Sequence, residues 1–362
     1  MRLFHVKRAV EEARPRTLGR HQNRRVGTHV TDARSAGEDS LDDMARRTAL
    51  LDSIPDVDLD TPLAAQVATD ARRHAVISGS SFARPTQTRV FTVANQKGGV
   101  GKTTTAVNIA AAMARAGLTV LVIDNDPQGN ASTALGIEHG SGTPSTYDVL
   151  LGGSTISDVV QVSPANDNLL CVPSTIDLSG AEIELVSVDS RETRLREALR
   201  AYLVERSRSG LPRVDYIFID CPPSLGLLTV NAFSAAAEVL IPIQTEYYAL
   251  EGLSQLLKNI ELIRAHLNPA LTVSTILLTM SDTRTNLARE VASEVREHFA
   301  EQTLRTVIPR SVRISEAPSY GQTVIGYDPS SSGALAYAEA AREITRRDAP
   351  SSTTTTNQDG QV

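Results

Sequence analysis

Two lysines five residues apart bracket a run of glycines in ANQKGGVGKTTTAVN, residues 94–108. Glycine lets consecutive backbone N–H groups turn inward with no Cβ to clash, and such a turn favours an anion. Gly98, Gly99, Val100 and Gly101 supply the turn, Lys102 is placed to reach β- and γ-phosphates, Thr103 offers a hydroxyl to Mg²⁺, and Thr104 extends the cradle. The usual spacing G-x-x-x-x-G-K-[ST] asks for glycine where this chain has Gln96, and a second lysine, Lys97, stands at the start of the loop instead. Carboxylates complete the set. Asp124 and Asp126 close the apolar run in VLVIDNDPQGNAS (120–132), and Asp220 closes the one in VDYIFIDCPPSLG (214–226), where Pro222 and Pro223 stop the strand. Carboxylates at the carboxyl ends of strands lie where open α/β sheets bind ligands.

These residues need elements to hold them. RVFTVAN (89–95), TVLVID (119–124), DYIFID (215–220), EVLIPI (238–243) and VSTILLT (273–279) are short, branched and nearly continuously apolar, as strands buried on both faces are. Helical patterns lie between them. Lys102 to about Arg115 opens directly from the glycine loop, so the helix N-terminus adds partial positive charge there. Residues 250–267 carry Leu250, Leu253, Leu257, Ile260 and Ile263 on one stripe, and residues 286–301 carry Leu287, Val291, Val295 and Phe299. Alternating strand and helix predicts an α/β fold, a doubly wound, mainly parallel sheet with helices on both faces, continuing to about Arg347.

Residues 1–86 read differently. Residues 1–34 hold nine Arg/Lys against three Asp/Glu, and residues 35–70 hold nine Asp/Glu against two Arg. Segregated charge with few large apolar groups predicts a mostly disordered arm, with one short helix over 60–76. The polar tail 348–362 is predicted to be disordered too, leaving one domain over 87–347. A net charge of -6 excludes a uniformly basic nucleic-acid binder, so any basic surface is local. Cys171 and Cys221 are too far apart for a CxxC metal site and offer no disulfide framework, which fits a reducing, cytoplasmic setting. No apolar run reaches the ~18 residues of a membrane span.

The loop with its early lysine, XKGGXXK[TS], resembles the deviant Walker A motif of the ParA/MinD family of P-loop ATPases, and the resemblance spans about residues 88–346. It implies a homodimer formed on ATP, in which Lys97 crosses to the partner's nucleotide while Lys102 serves its own. It implies Mg²⁺ held by Thr103 and by Asp220 of the Walker B strand, Asp126 as the group orienting the attacking water, and Asp124 near the metal and switch region. QTEYYALEGLSQL (244–256), LTMSDTRTNLAREV (278–291) and VIPRSVRISEAPSYGQTV (307–324) resemble the chromosomal ParA (Soj) branch. That branch implies an ATPase, slow until stimulated by a ParB-type partner, whose ATP-bound dimer holds double-stranded DNA without sequence preference at the nucleoid. Arg284 and Arg313 match its DNA-contacting arginines, and Pro309 and Arg310 match a segment lining the adenine pocket. A MinD-like membrane-positioning ATPase would need an amphipathic basic helix at the carboxyl end, where this chain is polar and Thr-rich. A non-hydrolysing ATP clamp is disfavoured by the presence of both Asp124 and Asp126.

Overall fold

The computed structural model describes residues 62–78, 82–247, 249–282 and 284–347; of the expected arm over 1–86, residues 1–61 and 79–81 lie outside them, as does the expected tail over 348–362. Eight strands form one sheet in the order β3-β4-β2-β5-β1-β6-β7-β8. The strands are β1 (Arg89–Val93), β2 (Val120–Asp124), β3 (Gln161–Val162), β4 (Leu169–Val172), β5 (Tyr216–Asp220), β6 (Glu238–Gln244), β7 (Thr272–Ser281) and β8 (Thr303–Pro309). All neighbouring strands are parallel except the edge pair β3–β4. This is the doubly wound α/β sheet expected from the run of apolar strands.

Alternate residues of the central strands feed two cores, one on each face. Leu121, Ile123, Ile217, Ile219, Val239 and Ile241 pack on one side, against Leu195 and Leu199 of α7 (Arg194–Arg208), Phe233 of α8 (Leu227–Ala235) and Leu253 and Ile260 of α9 (Ala249–His266). Phe91, Val93, Val120, Val122, Phe218 and Leu240 pack on the other, against α2 (Lys102–Arg115) and α13 (Ser332–Thr345). Helix α2 is alanine-rich and buried from Thr105 to Ala114, which lets it lie flush between the sheet and α13. The remaining helices are short: α3 (Asn130–Ala134), α4 (Thr146–Leu151), α5 (Ile156–Val159), α6 (Leu178–Glu184), α11 (Val312–Glu316) and α12 (Val324–Tyr327), with α10 (Asn286–His298) beside β8.

The expected short helix over 60–76 is α1 (Pro62–Ser78), and it is docked. The Arg73 guanidinium forms a two-pronged pair with Glu339 of α13, at 2.8 and 2.6 Å, and Ala68 is buried. That contact ties part of the charged amino-terminal segment to the sheet-and-helix domain.

Sheet order places the site. β5 inserts between β1 and β2, and the register aligns Asp220 with Val93 on one side and Asp124 on the other. The chain leaves β1 towards β2 in one direction and pairs β1 with β6 in the other, so the carboxyl ends of these strands form the crevice in which such sheets take ligands.

Candidate active site

The glycine loop follows β1 and ends in α2. Gly99 and Gly101 adopt φ of 74° and 88°, a left-handed region that costs any side chain but glycine's. A Cβ added at Gly98 or Gly99 would meet nothing within 4 Å, so both backbones face open space. That space is a cavity of about 680 Å³, walled by the loop and by Lys102, Thr103 and Thr104. Asp126, Pro127 and Gln128 of the β2–α3 turn form a second wall, and Met280, Gln322, Thr323 and Val324 a third.

The charged groups are arranged in depth. Lys102 is nearly buried, with Nζ donating to the Lys97 carbonyl at 3.4 Å; burial pulls its ammonium below the ordinary lysine value, against the opposing pull of Asp220 and Asp126. Asp220 is fully buried and neither carboxylate oxygen has a hydrogen-bond partner. Burial pushes its pKa well up, Asp124 adds to this, and the neighbouring Thr103 hydroxyl and Lys102 ammonium work against it. A buried carboxylate without partners is expensive, and groups of this kind in native folds wait for a cation or ordered water. Asp220 and Thr103, two oxygen donors of which one is otherwise orphaned, fit Mg²⁺.

Asp124, like Asp220, is fully buried and absent from the cavity wall, but its oxygens accept from Ser132 N at 2.8 Å, Ser132 Oγ at 2.7 Å and Asp126 N at 3.3 Å. Burial raises it to about 6 while those donors pull it down. These hydrogen bonds make Asp124 the residue that ties the start of α3 and the Asp126 backbone to the end of β2. Asp126 does face the cavity, with Oδ1 accepting from Gln128 N at 3.1 Å.

Lys97 lies at the rim. Its Nζ pairs with Glu246, just beyond β6, at 2.5 Å, and both side chains are near half exposed. Its backbone N–H donates to Asn95 Oδ1, and Asn95 Nδ2 donates to the Pro242 carbonyl, so the start of the loop is pinned to β6.

Pro309 and Arg310 stand apart from the main cavity. They line a smaller one of about 180 Å³, which shares Gly101, Thr104, Met280 and Ile314 with its neighbour. Arg284 and Arg313 follow the ends of β7 and β8, which are paired Ser281 to Pro309. Both arginines already have carboxylate partners. Arg284 donates to Asp282 at 2.9 and 3.0 Å, holding that carboxyl below its usual range, and Arg313 donates to Glu316 at 3.1 Å. Arg310 lies close enough to act on Asp282 as well, so Arg284 and Arg310 share one neighbourhood.

Cys221 is buried against the Thr92 hydroxyl at 3.1 Å, and burial raises its thiol to about 12, which suits packing rather than nucleophilic chemistry. Among the described residues no three His, Cys, Asp or Glu side chains gather as a metal centre, and no helix is long and apolar enough to cross a membrane. Met280 and Gln322 to Val324 line the cavity without having been singled out as site residues. They sit inside two segments that resemble the Soj branch, so the signal was present but not tied to a wall of the site.

A family model described as an AAA domain matches residues 88–273. Sporulation initiation inhibitor protein Soj of Bacillus subtilis is 50% identical over 256 residues, covering 71% of this chain and 98% of its own length. Chromosome partitioning protein ParA of Myxococcus xanthus is 50% identical over 264 residues, covering 73% and 90%. Among solved structures, cobyrinic acid a,c-diamide synthase from Mycobacterium smegmatis with bound ADP and magnesium has 36% identity and a TM-score of 0.59, covering 70% of this chain and 93% of its own. The cell division ATPase MinD of Pyrococcus furiosus has 27% identity and a TM-score of 0.57, covering 71% and 98%. With half the residues of its domain shared with Soj and ParA, and a glycine loop, a buried lysine and Asp126 lining one cavity, the chain belongs to the Soj/ParA family of chromosome-partitioning P-loop ATPases.

Proposed function

We propose that the protein hydrolyses ATP slowly to time its hold on DNA: an ATP-bound homodimer grips double-stranded DNA without sequence preference, and a DNA-bound ParB-type partner stimulates hydrolysis and release. The observation that carries the nucleotide reading is the orphaned Asp220 carboxylate, buried below the loop beside Lys102 and Thr103. The backbone from Gly98 to Thr104 cradles the phosphates, with Lys102 on the β- and γ-phosphates. Thr103 and Asp220 hold Mg²⁺, which when bound supplies neutralising charge to the phosphate oxygens. Asp126 faces the cavity and orients the attacking water, and Asp124 holds Asp126 in place from behind. Lys97 exchanges its Glu246 partner for the γ-phosphate side of the neighbouring protomer's nucleotide, an exchange favoured by its position at the rim. The base extends towards the walls made by Met280, Ile314 and Pro309–Arg310.

The DNA-binding surface is Arg284 and Arg313 with Arg310 beside them, two copies being presented together by the dimer. Exposed ion pairs are weak and screened, so Asp282 and Glu316 release these arginines to phosphates readily. The protein then works in the cytoplasm at the nucleoid. Co-sedimentation with random-sequence duplex in ADP, ATP and a non-hydrolysable analogue tests the reading. Pelleting is expected with ATP and more strongly with the analogue. Phosphate release should be slow alone and rise on adding DNA and the ParB-type partner. Equal pelleting in all three nucleotide states would overturn it.

A further inference from the structure

Met280 is the residue of β7 that adopts a left-handed backbone, φ 49°, and the pairing of β7 with β8 loses its regular register between Leu278 and Ser281. Only one other non-glycine residue among those described, Ser190, has a positive φ. A long side chain in this region is strained, and such strain persists where the surroundings over-determine it. Here they do. On one side, the Thr279 hydroxyl donates to the Val100 carbonyl inside the glycine loop at 2.9 Å, buried from water. On the other, the Ser281 carbonyl accepts from Arg310 N at 3.4 Å. Between these anchors the Met280 side chain lies against the loop, with its Cε 3.8 Å from where a Cβ on Gly101 would stand, and it forms part of the partition between the two cavities. Two residues further on, Asp282 holds Arg284 through its carboxylate and caps the turn into α10, its carbonyl accepting from Thr285 N and Oγ1.

We infer that Met280 is a positioning residue that couples the glycine loop to the arginine surface. Its side chain reads what fills the cavity, and its constrained backbone passes the displacement from Val100 and Gly101 to Ser281 and Asp282, and so to Arg284 and Arg310. A two-state relay of this kind needs few residues, because packed segments anchored at both ends switch rather than bend. The thioether suits the task, being a flexible side chain that can repack when the cavity fills. The inference rests on the proposed nucleotide-controlled DNA binding for its biological meaning, and not for its test.

The test compares wild type with Met280→Gly, Met280→Ala and Met280→Leu at saturating MgATP and MgADP. The first readout is amide hydrogen exchange over residues 285–289 at the start of α10, which requires no DNA. Wild type and Met280→Leu are expected to change exchange there on going from MgADP to MgATP, and the Gly and Ala variants are expected not to. The second readout is the ratio of affinity for random duplex in the two nucleotides. Couplings of this kind typically run about 5–150-fold, and the ratio should fall to about 1–3-fold in the Gly and Ala variants while Met280→Leu keeps it. A residue that merely stabilises the fold would shift the melting temperature of these variants and leave both ratios alone. Nucleotide-dependent exchange at 285–289 that survives Met280→Gly overturns the inference. Absence of nucleotide-dependent DNA binding in wild type would instead overturn the proposed function, and the exchange comparison would still decide the role of Met280.

Discussion

Replacing Asp220 by Asn should make the protein more stable without metal and less responsive with it. The wild-type carboxylate is fully buried with both oxygens unpartnered, and burial raises its pKa well above the ordinary 3.8. Leaving a buried polar group unsatisfied costs about 1–3 kcal/mol, more if charged. Asparagine keeps the shape and removes the charge but leaves an amide as unpartnered as the carboxyl was, so the gain expected in EDTA is the charge-dependent excess over that cost, read as a rise in melting temperature. The sign with pH follows from proton counting. An acid whose folded pKa is raised binds more protons folded than unfolded, so metal-free stability falls as pH rises above the unfolded value, and Asp220→Asn should flatten that slope. With MgATP at a hundred times its Kd, wild type should gain about 2.7 kcal/mol. The variant should lose the magnesium-dependent part of that gain. Thermal melts in EDTA, Mg²⁺, ATP and MgATP, at several pH values, contain the whole comparison. A variant less stable than wild type in EDTA that keeps the full magnesium response would refute the assignment of Asp220.

Three further substitutions separate the remaining roles. Lys97→Ala should keep nucleotide binding, because Lys102 and the loop remain, and lose the ATP-dependent dimer; light scattering that still shows full dimerisation would sink the exchange between Glu246 and a partner's nucleotide. Asp126→Ala removes the carboxylate that faces the cavity, and stimulated hydrolysis should fall by ~10²–10⁴ while ATP-bound, DNA-associated dimer accumulates; phosphate release at the wild-type rate would reassign the water-orienting role. Arg284→Glu with Arg313→Glu should abolish duplex binding with the ATP-dependent dimer intact; charge-neutral versions should lower the log–log salt slope by about 3.6, from four contacts in the dimer at about 0.9 each. Unchanged binding would direct attention to the basic residues of 1–34.

The glycine loop was legible because its chemistry is contiguous. A strand, three glycines, Lys102–Thr103 and a helix lie within one local stretch, and Gly99 and Gly101 adopt the positive φ that their residue type permits. The five named strands all appear, since uninterrupted apolar runs have few alternatives to burial on both faces. β4, only four residues long, and β8, interrupted by Arg305 and Thr306, lacked that signature, and the two-residue edge strand β3 had none. Short strands of that kind owe their place to neighbours.

Sequence alone determined that this chain would bind a phosphate-bearing ligand on a parallel sheet, because residue type and local spacing suffice for a turn, a helix start and a strand-end carboxylate. Only the tertiary structure decided how each carboxylate is partnered. β5 inserts between β1 and β2, bringing Asp220 level with Asp124, although 95 residues separate them along the chain. One then emerges with its oxygens unpartnered and the other with its oxygens taken by Ser132 and Asp126. The tertiary structure likewise set Lys97 against Glu246, Met280 against the glycine loop and α1 against α13. Those pairings join residues 149 to 266 positions apart. Strand order and helix packing create them by burying apolar surface over the whole domain, a sum to which no single stretch of sequence contributes enough to be read by itself.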